Sequence, residues 1–307
     1  MSNFLEIEGK KYPTVILGGD RFLGLFGEPR HKELKEEIVK PDYIYKIMHS
    51  SYKSDCRGFD LSINDNVINS FKKLKEKYPD CVGIANPNWD CGLNLEGGDL
   101  GKFEGRIIAT LFDRFLSVEE MNKISKLDKH YKERWFSFDK EDKPLTQKEI
   151  DAININLDKY QKKLEKVRGV ADFCLIGTGY ADWLPLLGRM DIFQDLIKLV
   201  RKNGFIPLSV HHWTSLVLPK LDKLDFAGHW TYLNKNAKLI DEEDVLETIN
   251  KCSKPITAFK AIISREKKEI KEYLKYLSDI SNVKAVDFGI ETVDEAKSVL
   301  EITSEYF

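Results

Sequence analysis

The chain of 307 residues is short of the features that mark several protein classes. Its five cysteines (Cys56, Cys81, Cys91, Cys174 and Cys252) are odd in number and scattered, and no two form a CxxC pair. That argues against a disulfide framework, a zinc ribbon or an iron–sulfur cluster, and each reads instead as a small buried apolar residue. No apolar run approaches the roughly 18 residues of a membrane span. No apolar h-region follows Met1, so a cytoplasmic protein without membrane association is expected. With 48 Lys and Arg against 50 Asp and Glu, the net charge of −2 offers no basic excess to hold nucleic acid. There is no HExxH, and the glycines near residue 18 do not form a GxGxxG dinucleotide fingerprint.

What is present is an ordinary soluble composition, 42% hydrophobic and 32% charged, with ample apolar content for a full core. Short β-rich runs alternate with amphipathic stretches from end to end: TVILGG (14–19), GFDLSI (58–63), CVGIAN (81–86), ADFCLIG (171–177), IPLSVHH (206–212), DFAGHW (225–230), PITAFKAI (255–262) and VKAVDFGI (283–290). Such runs suit parallel strands buried on both faces. Helix signals lie between them, as in NDNVINSFKKLKEKYP with an Asn or Asp cap and Pro79 as a stop. Eight strands, each followed by helical sequence, predict a single (β/α)8 TIM barrel spanning 1–307; a doubly wound sheet is the alternative. FLEIEGKKYPTVI predicts an N-terminal hairpin turning at Gly9-Lys10, plugging the barrel from beneath. The span 87–169 after the third strand is too long for a βα connection. It predicts an inserted helical lid or dimer-forming arm, with helices near 105–117 and 146–167.

A barrel keeps its site at the C-terminal strand ends, and here polar residues gather at those ends. The first strand ends in Asp20 and Arg21, the latter suited to bidentate grip of a carboxylate or phosphate. The second carries Asp60, Asn64 and Asp65: Asp60 as a general base, metal ligand or hydrogen-bond partner of a histidine, and NDN as a ligand contact or a helix cap. Asn86, Asn88 and Trp89 end the third. The fifth and sixth carry a repeat, His-Trp-Thr at 212–214 and again at 229–231. Equivalent registers would make His212 and His229 neighbours at the mouth, with His211 facing away. Histidine acid/base chemistry is expected there, a His/His/carboxylate metal set being the weaker alternative. Trp183, Trp213 and Trp230 would wall a pocket for a small organic ligand. Two-residue alternation puts Ile256, Ala258 and Lys260 on one face of their strand, and Ala285, Asp287 and Gly289 on one face of theirs; the small residues suit a crowded interior, so Lys260 and Asp287 are expected to point inward near the mouth. Lys260 then forms either a structural pair with Asp287 or a functional amine. Glu291 completes the set.

The N-terminal hairpin, the glycine-rich GGDRFLG (18–24) and the closing VDFGIETVDEAKSVL (286–300) together resemble the aldo/keto reductase superfamily. That resemblance implies the barrel, and it implies NADP with its phosphate at the last strand and helix. Of the reductase tetrad, Asp60 matches the Asp. The Tyr position holds Asp65, the Lys position falls near Asn86, and the His position near Ile176 or Gly177. The departures imply chemistry rebuilt on the fifth to seventh strands. The expectation is therefore a reductase-like barrel enzyme acting on a small polar metabolite, sugar-like or phosphorylated, by redox or by lyase/isomerase chemistry. Asp60, His212 or His229, and Lys260 would be catalytic. A non-catalytic ligand-binding barrel and a metal-dependent hydrolase or lyase are the alternatives, and a homo-oligomer is left open.

Overall fold

A computed structural model of the chain describes residues 3–24, 31–87, 91–236 and 240–307. The first two strands, β1 (Phe4–Ile7) and β2 (Lys10–Pro13), form the antiparallel hairpin. Its turn is Glu8-Gly9 rather than Gly9-Lys10, both turn residues having positive φ (48° and 75°). The Tyr12 hydroxyl accepts from Trp230 Nε1 at 2.7 Å and bonds Thr257 Oγ1 at 2.7 Å. Its ring meets Phe173 edge-on at 4.9 Å. The hairpin thereby closes the barrel floor.

Eight parallel strands make the closed barrel. They are β3 (Val15–Leu17), β4 (Gly58–Asp60), β5 (Val82–Ala85), β9 (Ala171–Gly177), β10 (Ile206–His211), β11 (Gly228–Tyr232), β12 (Ile256–Phe259) and β13 (Val283–Phe288). Between β5 and β9 lie three short strands forming a small antiparallel sheet, β6 (Leu93–Leu95), β7 (Gly98–Asp99) and β8 (Asn154–Ile155). Each barrel strand pairs with its successor, and β13 pairs back onto β3. Val, Ile and Leu predominate because both strand faces are covered. Ile16, Ile84, Phe173, Leu175, Leu208, Val210 and Trp230 fill the interior, and a larger cluster joins the outer face to the helices.

The outer ring consists of α1 (Pro41–Lys53), α2 (Asp65–Lys77), α7 (Leu157–Lys166), α9 (Met190–Lys202), α10 (Thr214–Leu221), α11 (Glu242–Lys251), α12 (Lys267–Ser278) and α13 (Val293–Thr303). Asn64, Asp241 and Thr292 cap α2, α11 and α13, the first as the NDN signal leads one to expect. The short α8 (Gly179–Trp183) follows β9 directly. The inserted span holds α3 (Glu104–Thr110), α4 (Val118–Ser125), α5 (Lys129–Trp135) and α6 (Gln147–Ala152). The single helix expected over 146–167 is broken: Asn154 and Ile155 extend to pair with β6, and Asn156 caps a new helix by accepting from Lys159 N. The second half, α7, is thus a barrel helix, and only the part before it is extra. No helix among the described residues is long and apolar enough to cross a membrane.

One register differs from the alternation expected. On β12, Phe259 belongs to the interior cluster, whereas Ile256 and Ala258 pack outward. By period two Lys260 would point outward as well. It does not, because the strand ends at Phe259 and Lys260 takes a left-handed φ of 52°. That turn swings its side chain to the mouth.

Candidate active site

At the C-terminal strand ends lies a cavity of about 330 Å³. Asp20, Asp60, Asn86, His212, Lys260 and Asp287 line it from the barrel, with Trp230 at its base. The inserted segment supplies the other wall through Asp99, Glu104, Arg134 and Trp135. Six polar residues singled out from separate strands in the sequence therefore share one space.

The carboxylates are held with care. Asp60 ends β4, fully inside the wall, and accepts from Asn86 Nδ2 at 2.9 Å and from Ser62 N at 2.8 Å. Asn86 occupies the position where the reductase resemblance expects a lysine, so the partner of Asp60 is a neutral amide. Burial and the nearby Asp20 carboxylate raise the Asp60 pKa to about 7. Burial also raises Asp287, reinforced by Asp60 and Asp20. It raises Asp20 too, against the pull of Lys260. The Asp287 side chain is 8% exposed, and its Oδ1 has no hydrogen-bond partner among the described residues.

A raised carboxyl pKa fixes a sign. Unfolded, Asp60 titrates near 4; folded, near 7. Between those values the native state holds the extra proton, so the contribution of Asp60 to stability is full below about pH 4 and is lost as the pH rises through 7. Asp60→Asn removes that charge, and Asn86 can flip its amide to suit. We expect this variant to gain roughly 2–4 kcal/mol relative to the parent at pH 8 and little at pH 4. Paired thermal melts at the two pH values check it; equal differences would show that Asp60 ionises normally.

Lys260 is exposed to the cavity, its Nζ above the rings of Tyr232 at 5.5 Å and Phe259 at 5.7 Å. It makes no contact ion pair with a described carboxylate, so the tight Lys260–Asp287 bridge, one of the two readings of the sequence, is not formed. Surrounding protein lowers the Lys260 pKa, against the opposing field of Asp20. Strain clusters here: Lys260, Ser62 and Thr178 all have positive φ (52°, 42° and 69°). Non-glycine residues keep such conformations where the surroundings over-determine them, and they concentrate at sites.

The two His-Trp-Thr copies are not equivalent. Register pairs Ser209 with His229 and His211 with Thr231, so His212 lies three positions beyond His229. Alternation turns His212 inward and His229 outward. His229 does not reach the mouth: Nδ1 bonds Ser209 Oγ at 2.6 Å and Nε2 bonds Asp222 Oδ1 at 3.1 Å. The expected His212–His229 pair is thus replaced by His211–His229, centroids 6.3 Å apart behind the wall. The repeated threonines, Thr214 and Thr231, do meet through their hydroxyls. His212 has another partner, missed in the sequence. Asp182 on α8 receives its Nδ1 at 2.9 Å and the backbone N–H groups of His212 and Trp213 at 2.7 and 2.8 Å. Nε2 makes no hydrogen bond to a described residue. Burial lowers the pKa of His212 against the pull of Asp182, leaving a neutral imidazole at pH 7. Trp135 packs against this ring at a tilt of 38°, centroids 4.2 Å apart.

Other expected site residues lie elsewhere. Asn64 accepts from Asn66 N and Val67 N as a helix cap, and Asp65 pairs with Lys166 at 2.9 Å on the surface. Trp213 is wholly buried against Phe136, centroids 4.5 Å apart. Arg21 Nε faces buried Glu291 at 3.3 Å, away from the cavity lining. Asn88 and Trp89 fall outside the described residues. Among the described residues one group has metal-ligand geometry, Asp222, His229 and Cys252. It lies behind the wall, and Asp222 there already accepts from Ser253 N at 3.0 Å and Oγ at 3.1 Å. The N-terminus of α13 is also occupied by its own chain. Thr292 Oγ1 accepts from Glu295 N, Glu291 N donates to Glu295 Oε2, and Arg265 pairs with Glu295 at 3.2 Å.

No family model matches the chain, and no curated protein matches it in sequence. Solved structures do match in shape. A Pseudomonas aeruginosa protein described as an aldo-keto reductase superposes with TM-score 0.57 at 13% identity, covering 97% of this chain and 92% of that one. The fold is that of the aldo-keto reductases. A thermostable aldo-keto reductase in complex with the inhibitor epalrestat gives 0.51 at 13% identity, covering 98% and 94%. A Bombyx mori aldo-keto reductase in complex with NADP gives 0.53 at 10% identity, covering 97% and 87%. At such identities the likeness concerns the path of the chain. The chemistry must come from the side chains here.

Proposed function

We propose that this reductase-like barrel is a proton-transferring enzyme, of lyase or isomerase type, acting on a small polar molecule. The supporting observation is the meeting of neutral His212, held at Nδ1 by Asp182, with proton-bearing Asp60 in one cavity. Environments that push a carboxyl up and an imidazole down, so that one holds its proton and the other is free to take one, are how acid/base sites are recognised. His212 takes a proton at Nε2, Asp60 supplies one, and Lys260 and Asp287 orient the polar groups of the substrate. Asp65 remains the residue at the tyrosine position of the reductase tetrad, and it stands on the surface.

Nicotinamide chemistry is the second reading, favoured by a fold neighbour that binds NADP. The α13 N-terminus fits a phosphate poorly: Glu291, Asp294 and Glu295 gather there, and both nearby arginines face carboxylates. A phosphate would meet like charge where the reductase resemblance calls for a cradle.

The test is a pooled metabolite screen in D2O followed by proton NMR, with and without NADP(H). The expected result is carbon-bound deuterium uptake or conversion of one compound without nicotinamide. Conversion that consumes NADPH stoichiometrically would transfer the protein to the second reading. Binding without conversion in any pool would make it a ligand-binding barrel.

A further inference from the structure

The cavity is heavily acidic. Asp20, Asp60 and Asp287 line it from the barrel and Asp99 and Glu104 from the insertion, whereas Lys260 and Arg134 are the cations facing them. This tally leaves out Asp182, already bonded to His212. Arg134 lies over the Trp135 ring at 5.0 Å, and Lys260 lies over Tyr232 and Phe259. Neither forms a contact ion pair with these carboxylates.

Asp287 supplies a second, independent observation. It is more than nine-tenths buried, it faces the cavity, and its Oδ1 lacks a hydrogen-bond partner among the described residues. A buried carboxyl short of donors is costly, and a donor brought by the ligand to the part of Asp287 that lines the cavity would offset that cost. The walls add a third feature. Trp135, Trp183, Trp230 and Phe259 surround the acidic groups, and aromatic faces attract cations that carboxylates hold.

We infer that the ligand of this cavity carries a protonated amine, seated against Asp287 and Asp20 within the aromatic walls while Asp60 keeps its proton. The amine supplies the opposite charge without which burial disfavours the ionised form of these two carboxyls. This reverses the sign expected from Lys260 alone, whose charge offsets part of the acidic field rather than anchoring an anion. A metal ion is the other bearer of positive charge. The carboxylates of Asp20, Asp60 and Asp287 do not converge within the 4.8 Å that marks a ligand set elsewhere in the chain, which favours the larger organic cation. The inference deepens the proposed acid/base reading by naming a substrate class.

The test is calorimetric titration of the full chain at pH 7.5 with two matched series. Glucamine, sorbitol and sorbitol 6-phosphate share one frame; benzylamine, benzyl alcohol and benzoate share another. Magnesium chloride is the metal arm. The expected result is that the amine binds at least about tenfold tighter than its neutral and anionic counterparts in at least one series. Asp287→Asn should erase that preference, and Asp20→Asn should weaken it if the first variant folds poorly by thermal melt. Equal or tighter binding of the alcohol or the anion in both series overturns the inference. So does the absence of amine binding, or magnesium binding that displaces the amine. An amine that binds without any compound being converted would refute the catalytic reading and leave this one standing. Turnover of a neutral or anionic compound, without amine preference, would do the reverse.

Discussion

His212→Asn is expected to lower kcat about 10²–10⁴-fold on the converted compound, the usual range for losing a general base. The melting temperature should stay close to that of the parent, because Asp182 keeps the backbone N–H groups of His212 and Trp213 as donors. Asp182→Asn probes the same unit differently. Asp182 raises the His212 pKa against the effect of burial, so removing its charge lowers that pKa further. The acid limb of the kcat/KM profile should then move to lower pH while kcat falls, since Nδ1 is no longer fixed as the protonated nitrogen. A merely structural Asp182 would lower stability and leave that limb in place. Turnover unchanged in His212→Asn would remove His212 from the chemistry.

Gly177→Ala carries the largest stability effect we foresee. Gly177 ends β9 with φ of 144°, and a Cβ placed on it would lie 2.0 Å from Val210 O and 2.9 Å from Ala181 Cβ. The obstructing atom is the main chain of the neighbouring strand, which cannot rotate aside. Either β9 and β10 separate or the strained turn at Thr178 is remade. Adding the unfavourable backbone region to overpacking gives a loss of about 3 kcal/mol or more. For a chain of this size that corresponds to a fall of roughly 5–10 °C in Tm. Gly179→Ala is the control: its added carbon would sit 3.6 Å from the Trp183 ring, an ordinary contact. Melts of the two variants that coincide would contradict the backbone described at Gly177.

The barrel was legible because each strand announces itself locally, by β-branched runs and by caps such as Asn64 and Thr292. The strand ends could therefore be listed, and Asp20, Asp60, Asn86, His212, Lys260 and Asp287 do share one cavity. What went astray depended on relations between strands. The repeated motif suggests His229 beside His212, but registry in a sheared barrel is set by pairing, which short motifs do not encode. Lys260 reaches the mouth for a reason that alternation does not supply, since its left-handed turn aims it inward. Asn64 and Asp65 followed the helix-cap reading open in the sequence. Asp182 sits within GTGYADW, directly after the fourth barrel strand, and its spacing of thirty residues from His212 carries no signal that they touch. Arg134 and Trp135 had no local signal, because their place in the wall comes from docking of the insertion.

The hydrogen bond that ties Tyr12 to Trp230 has a further consequence for traffic through the molecule. With the base of the barrel stoppered by that pair and its bore filled by side chains, the cavity is a cul-de-sac. Arrival and departure share the doorway partly framed by Arg134 and Trp135. A ligand lodged against Trp230 would therefore have to come and go on the side of the insertion, with no separate way out through the barrel.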